Sequence, residues 1–153
     1  MSHTALTYHI VLGTYKRMRV IVTNEERFLY RFIYEFLTKR DVVVRRIGGM
    51  PDHVHILCDV PAKYALADLV RTLKSESSKY ARCSQYLKFW EGWSVGYGAF
   101  TVGVGQREAC CRYIMNQKSH HSSRSFEDEY RELLHDAGLS DNTTILGDED
   151  PDC

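Results

Sequence analysis

Apolar and polar positions along this chain follow two rhythms, one of period two and one near 3.6. Residues 6–15 are rich in β-branched and aromatic side chains and predict a first strand. Thr23 or Asn24 then offers a helix cap, and Glu25 and Glu26 suit the positive end of the helix dipole. Phe28, Leu29, Phe32, Ile33, Phe36 and Leu37 recur at helical spacing. Residues 42–47 predict a second strand ending at Gly48-Gly49. Met50-Pro51-Asp52 reads as a turn, and a third strand runs from residue 53 to about residue 60, completing a hairpin. Leu66, Leu69, Val70 and Leu73 give the apolar stripe of a helix over residues 66–81. Residues 89–93 read as an aromatic loop and residues 96–104 as a fourth strand. A helix opens near residues 106–109, and a last amphipathic helix covers residues 126–137, with Gly138 as its cap.

The order β-α-β-β-α-β followed by helix predicts an α+β fold of ferredoxin-like or RRM-like type. A four-stranded antiparallel sheet would carry helices on one face, plus a C-terminal helix bearing Tyr113. The strand over residues 53–60 should be central. The Tyr113 helix must then reach the open sheet face, in its own subunit or in a neighbour's.

At 153 residues and 44% hydrophobic, the chain fits one domain over residues 1–139 with an acidic tail over residues 140–153 that is expected to be disordered. No apolar run approaches 18 residues and the N-terminus lacks a signal-peptide pattern, so a cytoplasmic protein with no membrane partner is expected. Five cysteines without a Cys-x-x-Cys pair argue against a zinc ribbon or a disulfide framework. The net charge of zero hides an asymmetry. Residues 1–125 carry 19 Lys and Arg against 10 Asp and Glu, and residues 126–153 carry 1 against 10. A basic body is compatible with phosphate binding, and an acidic solubility tail on an ordinary domain explains the charge equally well.

Two clusters carry candidate chemistry. His53 and His55 are spaced i, i+2, so on a strand both imidazoles leave the same face while Val54 points into the core. They form either a pair of metal ligands or two polar residues on a solvated strand face. Tyr113 and Gln117 are spaced i, i+4 and would share one helical face. A phenol is a candidate nucleophile and a Gln carbonyl a candidate third ligand, although the same spacing is commonplace on amphipathic helices. Together the clusters point to a metal-assisted tyrosine nucleophile. Candidate phosphate-binding residues are Lys16, Arg17 and Arg19 after the first strand, Arg45 and Arg46 on the second, and Arg71, Lys74 and Lys79 along a serine-rich helix that would serve as well as a plain solvated face. The adjacent His120 and His121 do not share a helical face and read as a helix-end or loop feature.

Gly48-Gly49-Met50-Pro51-Asp52-His53-Val54-His55-Ile56-Leu57, then residues 96–102 (Gly-Tyr-Gly-Ala-Phe-Thr-Val), then Tyr113-Ile114-Met115-Asn116-Gln117 with His120-His121, resemble the single-tyrosine HUH transposases of bacterial insertion sequences. The segment from Phe126 to Gly138 is similar too, so the resemblance spans roughly residues 5–139. It implies that His53 and His55 are the HUH histidines, Tyr113 the nucleophile and Gln117 the third metal ligand. It also implies cleavage and rejoining of single-stranded DNA, recognition of hairpins at the element ends, and an obligate homodimer in which active sites can be shared between subunits. Mixed nitrogen and oxygen ligands suit Mg²⁺ or Mn²⁺ better than structural zinc. Two other functions compete: a replication-initiator or relaxase-type HUH nickase, and a non-enzymatic RRM-like module. The latter needs exposed aromatics on its central strands, and residues 53–60 offer none.

Overall fold

The computed structural model describes residues 1–120 and 124–140. Four strands, β1 (Thr7–Gly13), β2 (Val43–Met50), β3 (His53–Asp59) and β4 (Gly98–Thr101), form one antiparallel sheet in the order β2-β3-β1-β4. The βαββαβ architecture is therefore as expected, with β3 flanked on both sides. One face carries α1 (Glu26–Thr38) and α2 (Leu66–Cys83). Ile10, Leu12, Val54 and Ile56 from the strands meet Leu29, Ile33, Leu37, Leu69 and Leu73 from these helices in the main core. Each such side chain contributes about 1.5–3 kcal/mol on burial.

The other face is covered by the chain that follows β4. Here α3 (Arg107–Met115), α4 (Gln117–His120) and α5 (Phe126–Asp136) succeed one another. Val11 packs there with Phe126 and Tyr130. This second layer explains why β3 is buried along His53–Cys58 instead of alternating. No helix among the described residues is long and apolar enough to cross a membrane.

Several boundaries differ from those expected. Neither Thr23 nor Asn24 caps α1. Its N-cap position is Glu25, without a side-chain cap bond, because the backbone first closes a turn from the Glu25 amide to the Val22 carbonyl at 2.8 Å. Gly48 and Gly49 do not end β2 but continue it to Met50. Their reason is steric: a Cβ on Gly48 would stand 2.8 Å from the Ile114 carbonyl oxygen, and one on Gly49 2.2 Å from the His53 carbonyl oxygen. The fourth strand spans only four residues. Tyr113 and Gln117 do not share one continuous helix, since α3 ends at Met115 and Gln117 opens α4. Gly138 adopts the left-handed conformation expected of a residue that follows a helix. His120 closes α4, whereas His121 and the acidic tail from residue 141 onward lie outside the described residues.

Candidate active site

The antiparallel register sets His53 opposite Gly13 and His55 opposite Val11 on β1, and sets Met50 and Gly48 opposite them on β2. Both imidazoles leave the sheet on the face covered by α3–α5 and are fully buried. The solvated-strand alternative is therefore excluded. A polar ring buried in this way needs partners on both nitrogens.

It has them. His53 Nδ1 donates to Asp52 Oδ1 at 2.7 Å, and His55 Nδ1 lies 2.7 Å from His9 Nε2. The two Nε2 atoms face oxygens instead. His53 Nε2 is 3.1 Å from Gln117 Oε1, and His55 Nε2 is 3.0 Å from Glu129 Oε1. Glu129 Oε2 is 3.8 Å from His53 Nε2. The ligand atoms of His53, His55 and Glu129 all lie within 4.8 Å of one another. Two nitrogens and facing oxygens are compatible with a proton on each nitrogen or with one shared cation. The buried group could thus hold a metal ion, with Nδ1 of each ring already fixed by a second partner as is usual for ligating histidines.

Tyr113 reaches the same point. Its hydroxyl donates to Glu129 Oε1, and its ring stands edge-on to His55 and His9 at 5.7 and 6.1 Å. Gln117 Nε2 also donates to Glu129 Oε1, at 3.1 Å. The helix break thus leaves Tyr113 and Gln117 on one carboxylate. Burial, then the hydrogen bond to Glu129 and its charge, push the Tyr113 phenol above its ordinary range. Burial alone would raise the Glu129 carboxyl, but the hydrogen bond and charge of His55, followed by Tyr113 and His53, hold it well below the usual carboxylate range.

Local sequence positions these groups. Ser125 caps α5 by accepting from the Asp128 amide at 3.2 Å, and Glu127, Asp128 and Glu129 occupy the first turn, where the helix dipole favours anions. Phe126 stacks on His53 at 4.1 Å, and Arg17 ties α5 to the end of β1 through Glu127 at 2.7 Å. Lys118 clamps α4 to Glu26 of α1 at 2.9 Å. A cavity of about 770 Å³, lined by His9, Phe100, Gln106, Tyr113 and Glu129 among others, opens beside the phenol.

Four residues expected in the site, His53, His55, Tyr113 and Gln117, are brought together in one chain. Glu129 and His9 were not anticipated, although each left a signal. Phe126, Glu129, Tyr130 and Leu133 share the buried stripe of α5, and a carboxylate on such a stripe demands a partner. His9 alternates with Thr7 and Val11 onto the strand face opposite the main core. The basic residues do not gather around the imidazoles. Arg17 is turned to Glu127, Arg45 forms a two-pronged pair with Asp59 at 2.9 and 2.6 Å, and Lys16 lies over the Tyr15 ring at 5.3 Å. Arg19 and Arg46 are exposed. Arg71, Lys74 and Lys79 lie along α2, on the far side of the sheet.

Residues 2–117 match the family model described as "Transposase IS200 like". The chain belongs to this transposase family. Its relatives include the ISDra2 transposase TnpA of Deinococcus radiodurans, 28% identical over 119 residues that cover 73% of this chain and 84% of that protein. Two solved structures share the fold. A Deinococcus radiodurans protein assigned as a transposase superposes with a TM-score of 0.57 at 24% identity, covering 76% of this chain and 93% of its own. A REP-associated tyrosine transposase bound to a REP hairpin gives 0.61 at 15% identity, covering 98% and 99%. Family membership makes this IS200-like transposase a DNA-cleaving enzyme of a mobile element, and its buried His-His-Glu group is a candidate metal site.

Proposed function

We propose that the protein cleaves and rejoins single-stranded DNA at insertion-sequence ends through a covalent phosphotyrosine on Tyr113, recognising hairpins beside the cleavage site. One observation carries this reading: the Tyr113 hydroxyl and His55 Nε2 meet the same oxygen, Glu129 Oε1, within a single chain. A nucleophile and a candidate metal site thus share one buried carboxylate at the floor of an open cavity.

In the reaction, a bond forms between the Tyr113 oxygen and phosphorus as the bond from phosphorus to the 3′ oxygen breaks. The electron pair leaves with that oxygen, and the proton given up by the phenol ends on the new 3′ hydroxyl. Glu129 already accepts the phenol's hydrogen bond and so holds the hydroxyl beside the imidazole pair. The phosphate stays on Tyr113, so a 3′ hydroxyl from another junction can attack it and restore a phosphodiester without an external energy source. The donor set fits a divalent cation held by His53, His55, Glu129 and the Gln117 carbonyl. When bound, such an ion supplies Lewis acidity toward the phosphate oxygens and offsets the charge of Glu129. Asp52 and His9 hold the two rings with Nε2 inward. Homodimer formation is part of this reading, but all of these side chains come from one protomer.

The test is a denaturing gel of the protein incubated with a labelled hairpin that bears single-stranded flanks. With Mg²⁺ or Mn²⁺ a covalent adduct is expected. It should vanish with chelator and with Tyr113→Phe, while hairpin binding persists. Parallel reactions with Zn²⁺ identify the metal, because two histidines and a glutamate are also a catalytic zinc set. An adduct formed by Tyr113→Phe would reject the nucleophile.

A further inference from the structure

A second cavity lies between α2 and residues 92–97, away from the imidazole face of the sheet, and the chemistry above makes no use of it. It encloses about 540 Å³, the size of a small-ligand site. Four cationic side chains line it, Arg71, Lys74, Lys79 and Arg82, and no carboxylate does. Tyr97 supplies a half-buried aromatic ring at its wall, and Trp93 is buried behind it.

The groove is firmly built. Trp90 Nε1 donates to Ser78 Oγ at 3.0 Å and Trp93 Nε1 to Ser77 Oγ at 2.9 Å, which fastens the loop to α2. Lys74 Nζ donates to the carbonyls of Ser94 at 2.7 Å and Gly96 at 2.8 Å, bracing the loop from inside. The remaining cations are lightly held. Arg71 and Lys79 pair only with Asp68 and Glu76 on the exposed surface of their own helix, at 2.7 and 3.6 Å, and such pairs are easily exchanged. Arg82 forms no ion pair among the described residues.

Its place in the fold links it to the imidazoles. Thr14 bridges Trp93, and the Ser94 amide donates to the Gly13 carbonyl at 2.8 Å. Gly13 is the residue paired with His53 across the sheet. The groove therefore begins around the end of the sheet from His53, on the opposite face. A nucleic-acid strand leaving the imidazole pair has only to round that end to enter it.

We propose that this groove holds one unpaired nucleotide of the DNA strand, outside the phosphodiester that is cut. The base would lie against Tyr97, and its phosphate among Arg71, Lys79 and Arg82. Cations without a carboxylate favour a polyanion, the Tyr97 ring favours a base over bare phosphate, and the volume admits a nucleotide but not a duplex. This inference rests on the DNA-processing reading above.

The experiment measures anisotropy of a labelled hairpin with single-stranded flanks, without divalent metal, against wild type, Ser75→Trp and Arg71→Ala/Arg82→Ala. Ser75 is an exposed residue on the rim of the groove, so tryptophan there fills the space and leaves every cation in place. Ser75→Trp should weaken binding about tenfold with the salt slope unchanged, as expected for loss of one stacked base. The double arginine variant should flatten the salt slope by about 0.7 for each phosphate that is no longer neutralised. Replacing the unpaired flank nucleotides one at a time with an abasic residue should, at one position, weaken wild type about tenfold and Ser75→Trp no further. Wild-type affinity in both variants, or a fully paired duplex that competes as well as the flanked hairpin, would overturn the groove while leaving Tyr113 chemistry intact. A wild-type protein that neither binds DNA nor forms the adduct would overturn the DNA reading itself.

Discussion

Replacing Gly48 with alanine tests whether the seat of α3 sets the reaction. Gly48 lies in β2 opposite His55, and α3 crosses it so closely that a Cβ would meet the Ile114 carbonyl oxygen at 2.8 Å and its Cγ2 at 2.9 Å. Ordinary van der Waals separation begins at 3.4 Å, so Ile114 must retreat by about 0.6 Å, the difference between 3.4 and 2.8. Ile114 is buried and follows Tyr113 directly, so the phenol moves with it. Overpacking of this kind costs about 1–3 kcal/mol. In a chain of this length each kcal/mol lowers Tm by roughly 2–4 °C. Displacing a reacting group by ~1 Å can cost on the order of a hundredfold in rate, so about 0.6 Å should cost roughly tenfold. The assay is single-turnover adduct formation at saturating labelled DNA, beside a thermal melt and a binding isotherm. Gly48→Ala should form adduct roughly tenfold more slowly while binding DNA normally. Adding Ile114→Ala removes Cγ2 but not the carbonyl, so a double-mutant cycle should show only partial rescue. A variant that melts lower yet forms adduct at the wild-type rate would refute the idea that this close approach positions the phenol.

Three further outcomes follow from the buried cluster. Burial, then the neighbouring charge of His55, lowers His9 to about 3 against the opposing pull of Glu129, so the folded protein binds fewer protons there than the unfolded chain. That contribution is complete above about pH 6.5 and is lost at about 1.4 kcal/mol per pH unit as pH falls toward 3. Denaturant titrations at pH 7, 6 and 5 should show the slope in wild type and a flatter one in His9→Gln; equal slopes would place the acid sensitivity elsewhere. Mn²⁺ at a hundred times its Kd should stabilise wild type by about 2.7 kcal/mol in a thermal melt, reversibly with chelator, and His53→Ala should abolish the gain. Glu129→Gln removes the carboxylate that restrains Tyr113, so the phenol should titrate at lower pH by ultraviolet absorbance while Mn²⁺ affinity falls on the order of tenfold or more.

Local signals carried the strand of His53 and His55 and the helix of Tyr113, because both rest on short-range periodicity. Where the expectations failed, the cause was tertiary. Gly48-Gly49 reads as a strand end when glycine is judged by its freedom, yet both stay in β2, where no side chain fits at Gly48 beneath Ile114 or at Gly49 against the His53 carbonyl. The i, i+4 relation of Tyr113 and Gln117 assumed an unbroken helix. Their meeting survives the break after Met115 only because Glu129, on another element, accepts from both. Basic residues were countable but their availability was not. Arg17 is committed to Glu127 across 110 positions of sequence, and no local pattern reveals that pair. Glu129 and His9 belong to no motif, but each broke a pattern, one as a charge on an apolar stripe and the other as an imidazole on a strand face that proved to be covered. Burying either without a partner is costly, so each is evidence of a partner before that partner can be named. Motif residues therefore name the chemistry this chain can attempt. The pattern-breaking buried groups decide in what protonation state and orientation it is held.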